Sequence, residues 1–347
     1  MTKNLFSLIC SAFLLFFVST IAAQAPLCGA LKVTTLPAPG DYGGAGQFAV
    51  SRQTIANPEP NTPAPVSVYL PSNATAQNRV PVVFFAHGFG GTEFLYYDAL
   101  LQQLASNGYV VVFAPYTASI LANHPTRYQQ MWAGFQIAVQ QFGDVFDTTR
   151  VGFAGHSYGA GALPELARRG VAAGWGSNGL FLFSMAPWYS FGTNYEQIPA
   201  STKLIVQVYW DDGTNQHSIA QNDIWNRLPQ ITEKKWQVIR AARTTCELTA
   251  GHNVPVTINA GADGTTNALD YWGVWRKLHA LSAYTFTGNS TARTVAFDET
   301  FMGKWRLYGL RPITPLETSD TPILNTTGSP TFLWTARCFF AQGYPCS

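Results

Sequence analysis

Gly155-His156-Ser157-Tyr158-Gly159 sets a serine between two glycines, each two residues away. The apolar run Val151-Gly152-Phe153-Ala154 leads into it, and the small residues Ala160-Gly161-Ala162 lead out. That order reads as strand, sharp turn, helix, the arrangement of a nucleophile elbow. Flanking glycines let the strand and helix backbones approach closely. The apex residue is forced into a strained conformation that projects its hydroxyl outward. The competing reading is a glycine-rich turn that happens to hold a serine, and the flanking strand and helix favour the elbow.

A serine hydroxyl is a poor nucleophile at neutral pH. It needs a base within hydrogen-bond reach, and the base needs an orienting carboxylate. Behind an elbow the carboxylate comes next in the chain and the histidine last. The apolar run Leu204–Tyr209 ends in Trp210-Asp211-Asp212-Gly213, so either aspartate stands at the end of a strand, where parallel sheets place their sites. Gly251-His252-Asn253 follows a later strand and supplies the base; His217, near the acid, is its rival. His156 must point away from the apex and is expected to hydrogen-bond in the core. His124, beside Pro125, reads as a loop residue facing solvent or substrate, and His279 as a packed or surface position on a helix. An acyl-transfer intermediate also needs N–H donors for its oxyanion. One is expected from Tyr158, directly after the serine. The other is expected from Phe89 in the turn His87-Gly88-Phe89-Gly90-Gly91, with the His87 ring tying that turn down.

The elements that must hold these residues alternate. Strands are predicted over 80–86, 109–114, 151–154, 180–185, 204–209 and 236–241, with helices over 94–107, 128–142, 159–169, 220–227 and 269–282. Val66–Leu70 reads as an edge strand, residues 37–65 as loops and edge strands, and residues 312–330 as surface loop. Alternating strands and helices imply a mostly parallel central sheet with helices on both faces. With the elbow and the Ser, Asp, His order, this is an α/β class chain of the α/β-hydrolase fold.

Lys3, the apolar block Leu5–Val18 and the small residues up to Ala25 make residues 1–25 a secretory signal peptide, with an uncleaved anchor as the competing reading. Residues 26–347 are then one domain of the exported protein, and 312–347 a loop-rich tail. The mature chain keeps Cys28, Cys246, Cys338 and Cys346, an even set that in an exported protein implies disulfides. Cys338 and Cys346 are near neighbours and pair, leaving Cys28 for Cys246. Only 12% of residues are charged and net charge is +2 with no basic stripe, which argues against nucleic acid as a partner. Aromatic residues make up 14% of the chain, ten of them Trp, a composition that tolerates an apolar or solid substrate as well as describing a packed secreted domain. No later segment is apolar enough to span a bilayer, and no metal or cofactor is expected.

From about Gly40 to His279 the chain resembles the secreted α/β-hydrolases that include bacterial cutinases and polyester (PET) hydrolases. The resemblance is carried by Leu104-Ala-Ser-Asn-Gly-Tyr-Val-Val-Val112, by Asp147-Thr-Thr-Arg-Val-Gly-Phe-Ala-Gly-His-Ser157, by Ala186-Pro187-Trp188 and by Thr249-Ala-Gly-His252-Asn-Val-Pro255. It implies that the acid is Asp212 rather than Asp211, that His252 is the base, and that Trp188 flanks the scissile ester. The chain departs from the family in Phe89 where a Tyr is usual, in Tyr158 where a Met is usual, and in a longer C-terminal extension. His87 is more reminiscent of chlorophyllase-like and lipase-like relatives. Taken with the elbow, the resemblance implies a monomeric serine carboxylic ester hydrolase acting on apolar, lipidic or polymeric esters, with Phe89, Tyr158 and Trp188 walling the substrate groove. A short-chain carboxylesterase, a lipase- or chlorophyllase-like enzyme and a catalytically dead binding module are the alternatives.

Overall fold

The computed structural model describes residues 33–244, 246–258, 264–306 and 309–345. The expected signal peptide, Cys28 and Cys346 lie outside the described residues. So does one half of each expected disulfide; of the other halves, Cys246 is buried and Cys338 exposed.

Among the described residues the core is a nine-stranded sheet whose members, in spatial order, are β1 (Val50–Ile55), β2 (Val66–Pro71), β4 (Val110–Phe113), β3 (Val80–Ala86), β5 (Phe146–His156), β6 (Leu180–Met185), β7 (Lys203–Tyr209), β8 (Lys234–Ile239) and β9 (Glu317–Ser319). Its centre is six parallel strands: β4, β3, β5, β6, β7 and β8. The continuous apolar run of β3 is buried at every position, as expected of a strand covered on both faces. Alternate residues serve opposite faces: Val83, Phe85, Val111 and Phe113 pack with the helices Asp98–Ser106 and Arg276–Thr287. Val82, Phe84, Val110 and Val112 pack with the helices His124–Phe142 and Tyr158–Ala172.

Three expectations are corrected at the margins. β2 (Val66–Pro71) is not the edge: β1 (Val50–Ile55) pairs antiparallel outside it. β1 presents a mostly exposed, polar surface, with only its end residues Val50 and Ile55 packing against the core, so its side chains carry little strand signal. At the opposite edge, β9 (Glu317–Ser319) lies inside the stretch read as surface loop and pairs antiparallel with β8. The helix expected over 220–227 starts at His217 and passes into a π turn, Gln221–Trp225; that expected over 269–282 opens with a π segment, Leu269–Trp275. The second irregularity has a visible support: the Gly273 carbonyl accepts from the buried Gln207 side chain at 2.8 Å. Among the described residues no helix is long and apolar enough to cross a membrane.

Candidate active site

Because β3, β5, β7 and β8 run parallel, their C-terminal ends open on one rim of the sheet. Ser157 follows β5 directly. Its backbone sits at φ 54°, ψ −119°, a region that costs an ordinary L-residue of order 1–3 kcal/mol. The surroundings over-determine it. Ser157 N–H donates to Met185 O at 2.9 Å, and Ser157 O accepts from the amides of Gly161 and Trp188 at 3.0 and 2.9 Å. The glycines are needed for contact rather than flexibility: a Cβ at Gly159 would stand 2.2 Å from Ala86 O, and one at Gly161 would stand 2.5 Å from the Trp188 and Tyr189 carbonyls.

Two further loops converge on this serine. Asp212 lies just beyond β7, with Oδ1 accepting from the amides of Thr214 and Asn215 at 2.7 and 2.9 Å. Its Oδ2 faces His252 Nδ1 at 2.8 Å, and His252 Nε2 faces Ser157 Oγ at 2.9 Å. A carboxylate can only accept, so the imidazole carries its proton on Nδ1 and presents a bare Nε2 to the serine hydroxyl. Asp211, the other aspartate, is exposed, and its amide donates to Ala250 O at 2.9 Å, tying the acid loop to the loop of His252. The three residues are nearly buried, with Ser157 8%, Asp212 9% and His252 9% exposed.

The remaining histidines are occupied elsewhere. His217 donates from Nε2 to Tyr209 O at 2.9 Å and accepts the Asn325 amide on Nδ1 at 3.0 Å, and burial lowers its pKa. Both ring nitrogens are spent, and neither touches Ser157. His87 donates to Gly88 O at 2.7 Å, accepts the Tyr116 amide at 3.2 Å and stacks on the Tyr116 ring; burial pulls its pKa down to about 4. His279 is buried edge-on to Tyr42 and Tyr109. His124 is the correction. It is the first residue of the helix His124–Phe142, capped by Asn123, and 1% exposed rather than solvent-facing. Its Nδ1 accepts from the Tyr158 hydroxyl at 2.9 Å and its Nε2 donates to Phe340 O at 2.8 Å, and burial brings its pKa down to about 4.

The turn expected to hold the oxyanion lies against the serine. Gly91 N–H closes the turn on Gly88 O at 2.9 Å, with Gly90 at φ 85°, a conformation suited to glycine. A Cβ on Gly88 would stand 3.4 Å from Ser157 Cβ. Phe89 is the apex of this turn and is 38% exposed. Across from it, Tyr158 opens the helix behind the serine, and first-turn amides of a helix have no intrahelical acceptor. The rings run inward from the turn: Phe89 to Tyr158 is 6.3 Å between centroids, and Tyr158 stacks on Trp188 at 5.3 Å, both of them buried where the sequence had them walling an open groove. Trp188 is placed by a strained Ala186, at φ 43°, whose carbonyl accepts from the Asn215 side chain at 2.9 Å. The buried guanidinium of Arg127 lies over both Phe89 and Tyr158, at 5.3 and 5.4 Å from the ring centroids.

Residues 42–167 match the family model of chlorophyllase. The architecture is the α/β-hydrolase fold. The matched stretch contains Phe89, Ser157 and Tyr158 and stops before Asp212 and His252, which the tertiary structure alone brings to the serine. A search of curated proteins finds no match to the chain.

Sequence reasoning missed the tail. Phe332 and Phe340 meet the Trp188 ring edge-on at 5.9 and 5.5 Å, Tyr344 stacks with Phe191 at 6.1 Å, and Tyr189 donates its hydroxyl to Leu333 O. Arg337 grips the buried Asp223 with Nε 2.8 and 2.9 Å from its two oxygens. The aromatic residues of the tail were the available signal, since a solvated loop has no use for Phe332, Trp334, Phe340 and Tyr344 in so short a span.

Proposed function

We propose that the chain is a serine carboxylic ester hydrolase in which Ser157 attacks the ester carbonyl, His252 takes and returns the proton, and Asp212 orients the imidazole and supports its charge. The observation that carries this reading is the unbroken contact from Asp212 Oδ2 through His252 to Ser157 Oγ, at 2.8 and 2.9 Å, on a strained elbow. Attack forms the Ser157 Oγ–acyl bond and a tetrahedral oxyanion, for which the amides of Tyr158 and Phe89 are the donors. Collapse expels the alcohol, protonated by His252. Water, deprotonated by the same imidazole, then releases the acid and restores the serine.

Cutinase or polyesterase action is our leading reading of the substrate, supported by the exposed Phe89 ring and the aromatic cluster of Tyr158 and Trp188 behind it, beside the serine. The family match favours a second reading, a chlorophyllase-like enzyme acting on the kind of ester that name denotes. We infer export from the N-terminal pattern Lys3, Leu5–Val18 and Ala25, and a monomeric enzyme. The decisive experiment compares the protein with Ser157→Ala on p-nitrophenyl butyrate and with a fluorophosphonate probe. Hydrolysis and labelling of the native protein, both lost in the folded variant, are expected; turnover by the variant would show that Ser157 is not the nucleophile. A panel of emulsified triglyceride, chlorophyll, cutin and aromatic polyester film then separates the substrate classes.

A further inference from the structure

Four residues from three separate stretches form one directed chain of hydrogen bonds beneath the site. Gly88 N–H donates to Tyr97 Oη at 3.0 Å. The Tyr97 hydroxyl pairs with His156 Nδ1 at 2.9 Å, and His156 Nε2 pairs with the main-chain oxygen of His252 at 2.9 Å. The direction is forced by chemistry. A carbonyl only accepts, so the His156 proton is on Nε2. Its Nδ1 is then an acceptor, and Tyr97 must donate to it while receiving the Gly88 amide. Tyr97 and His156 are 1% and 2% exposed, and burial, with the neighbouring His252 and His87, pushes the His156 pKa down and holds the ring in this neutral form.

The ends of the chain matter more than its middle. Gly88 begins the turn that carries Phe89, and His252 carries the bare nitrogen facing Ser157 Oγ. The first loop leaves β3 and the second follows β8, and these strands are separated in the sheet by β5, β6 and β7. Nothing in strand pairing therefore holds the two loops in register. His156 ends β5, beside β3, and its ring lies 4.8 Å from that of His252. Close packing at the other end is tight as well: a Cβ on Gly88 would stand 3.0 Å from His156 Nδ1 and 3.2 Å from Tyr97 Oη.

We propose that His156, acting through Tyr97, is a positioning residue that locks the oxyanion turn and the backbone of the base into one geometry. This rests on the ester-hydrolase reading above. An unlinked pair of loops would still bind an ester, because Tyr158 and Trp188 lie on neither loop. It would meet the developing oxyanion and proton less often in register, so the cost falls on the chemical step.

The test uses His156→Phe, which keeps an aromatic ring and removes both bonds, Tyr97→Phe, which removes only the hydroxyl, and the double variant. Active sites are titrated with the fluorophosphonate, kcat and KM are measured on p-nitrophenyl butyrate, and melting temperatures are recorded. We expect kcat per titrated site to fall about 10- to 100-fold in His156→Phe and several-fold in Tyr97→Phe, with KM within about twofold in both. The double variant should lie close to His156→Phe, because the link between the two loops is already cut there and Tyr97 keeps only its bond from Gly88 within the first loop. Unchanged kcat, a change confined to KM, or losses that multiply in the double variant would overturn the proposal. If His156→Phe does not fold, the kcat and KM of Tyr97→Phe decide it. A native protein that neither hydrolyses esters nor labels at Ser157 would instead refute the functional reading itself.

Discussion

Arg337→Met should destabilise the protein by an amount that the tail contacts allow to be worked out. The guanidinium donates to both oxygens of Asp223, to Ser190 O at 2.9 Å and to Pro345 O at 2.8 Å, and its side chain is 7% exposed against 0% for Asp223. Methionine keeps much of the stem's volume and removes every one of these bonds. Asp223 is left buried, with the Ser190 amide donating to Oδ2 at 3.1 Å. Breaking a buried pair from one side costs about 3–5 kcal/mol. Burial already raises the Asp223 pKa, so the abandoned carboxyl takes up a proton rather than remain charged, which places the cost near the lower figure, about 3 kcal/mol. At about 2–4 °C per kcal/mol for domains of 150–250 residues, and less for a longer chain, the melting temperature should fall by about 6 °C. Adding Asp223→Asn should return part of the loss, since no uncompensated acid then remains. Urea titration and calorimetry of native, single and double variants give the answer. A loss below about 1 kcal/mol in Arg337→Met, or a double variant less stable than the single, would refute the idea that this pair fastens the tail to the Trp188 segment.

Two further outcomes follow from the site and its surroundings. Asp212→Asn should lower kcat by about three to four orders of magnitude with little change in KM, because an amide can donate to Nδ1 and so favour the tautomer that no longer accepts from serine; stopped-assay kinetics on p-nitrophenyl butyrate checks this. Stability should fall as pH drops from about 6.5 to about 4. His87, His124 and His279 have pKa values brought down from 6.5 to about 4 by burial, so across that window the unfolded chain binds protons that the folded one refuses. The slope of stability with pH is therefore positive there, and each ring contributes up to about 3 kcal/mol of acid sensitivity. Urea midpoints at pH 7 and pH 4.5 test it, and equal midpoints would contradict it.

What could be read from the chain follows the strength of its local signals. Val80–Ala86 and Leu180–Met185 were legible to the residue, because strands buried on both faces must be apolar throughout. β1 and β9 gave almost no hydrophobic pattern, since an edge strand takes much of its hold from main-chain pairing and leaves its side chains partly or wholly in water. The misplacement of His124 had a remedy in view: Asn123 accepts from the Thr126 amide and Pro125 sits in the first turn, a helix start that the amino-acid order itself spells out.

Local order alone determined the elbow. Gly155, Ser157 and Gly159 lie within one turn, and the steric demand of that turn is written in five residues. It also offered the candidate aspartates and histidines, as chemistry in search of a geometry. Tertiary structure decided which of them meet. Ser157, Asp212 and His252 are up to 95 residues apart in the chain, and only parallel strands opening on one rim bring them within 3 Å of their neighbours. The same is true of the His156–Tyr97 chain and of the tail on Trp188: hydrogen bonds between distant loops leave no periodicity behind, so they exist for the reader only once the sheet has folded.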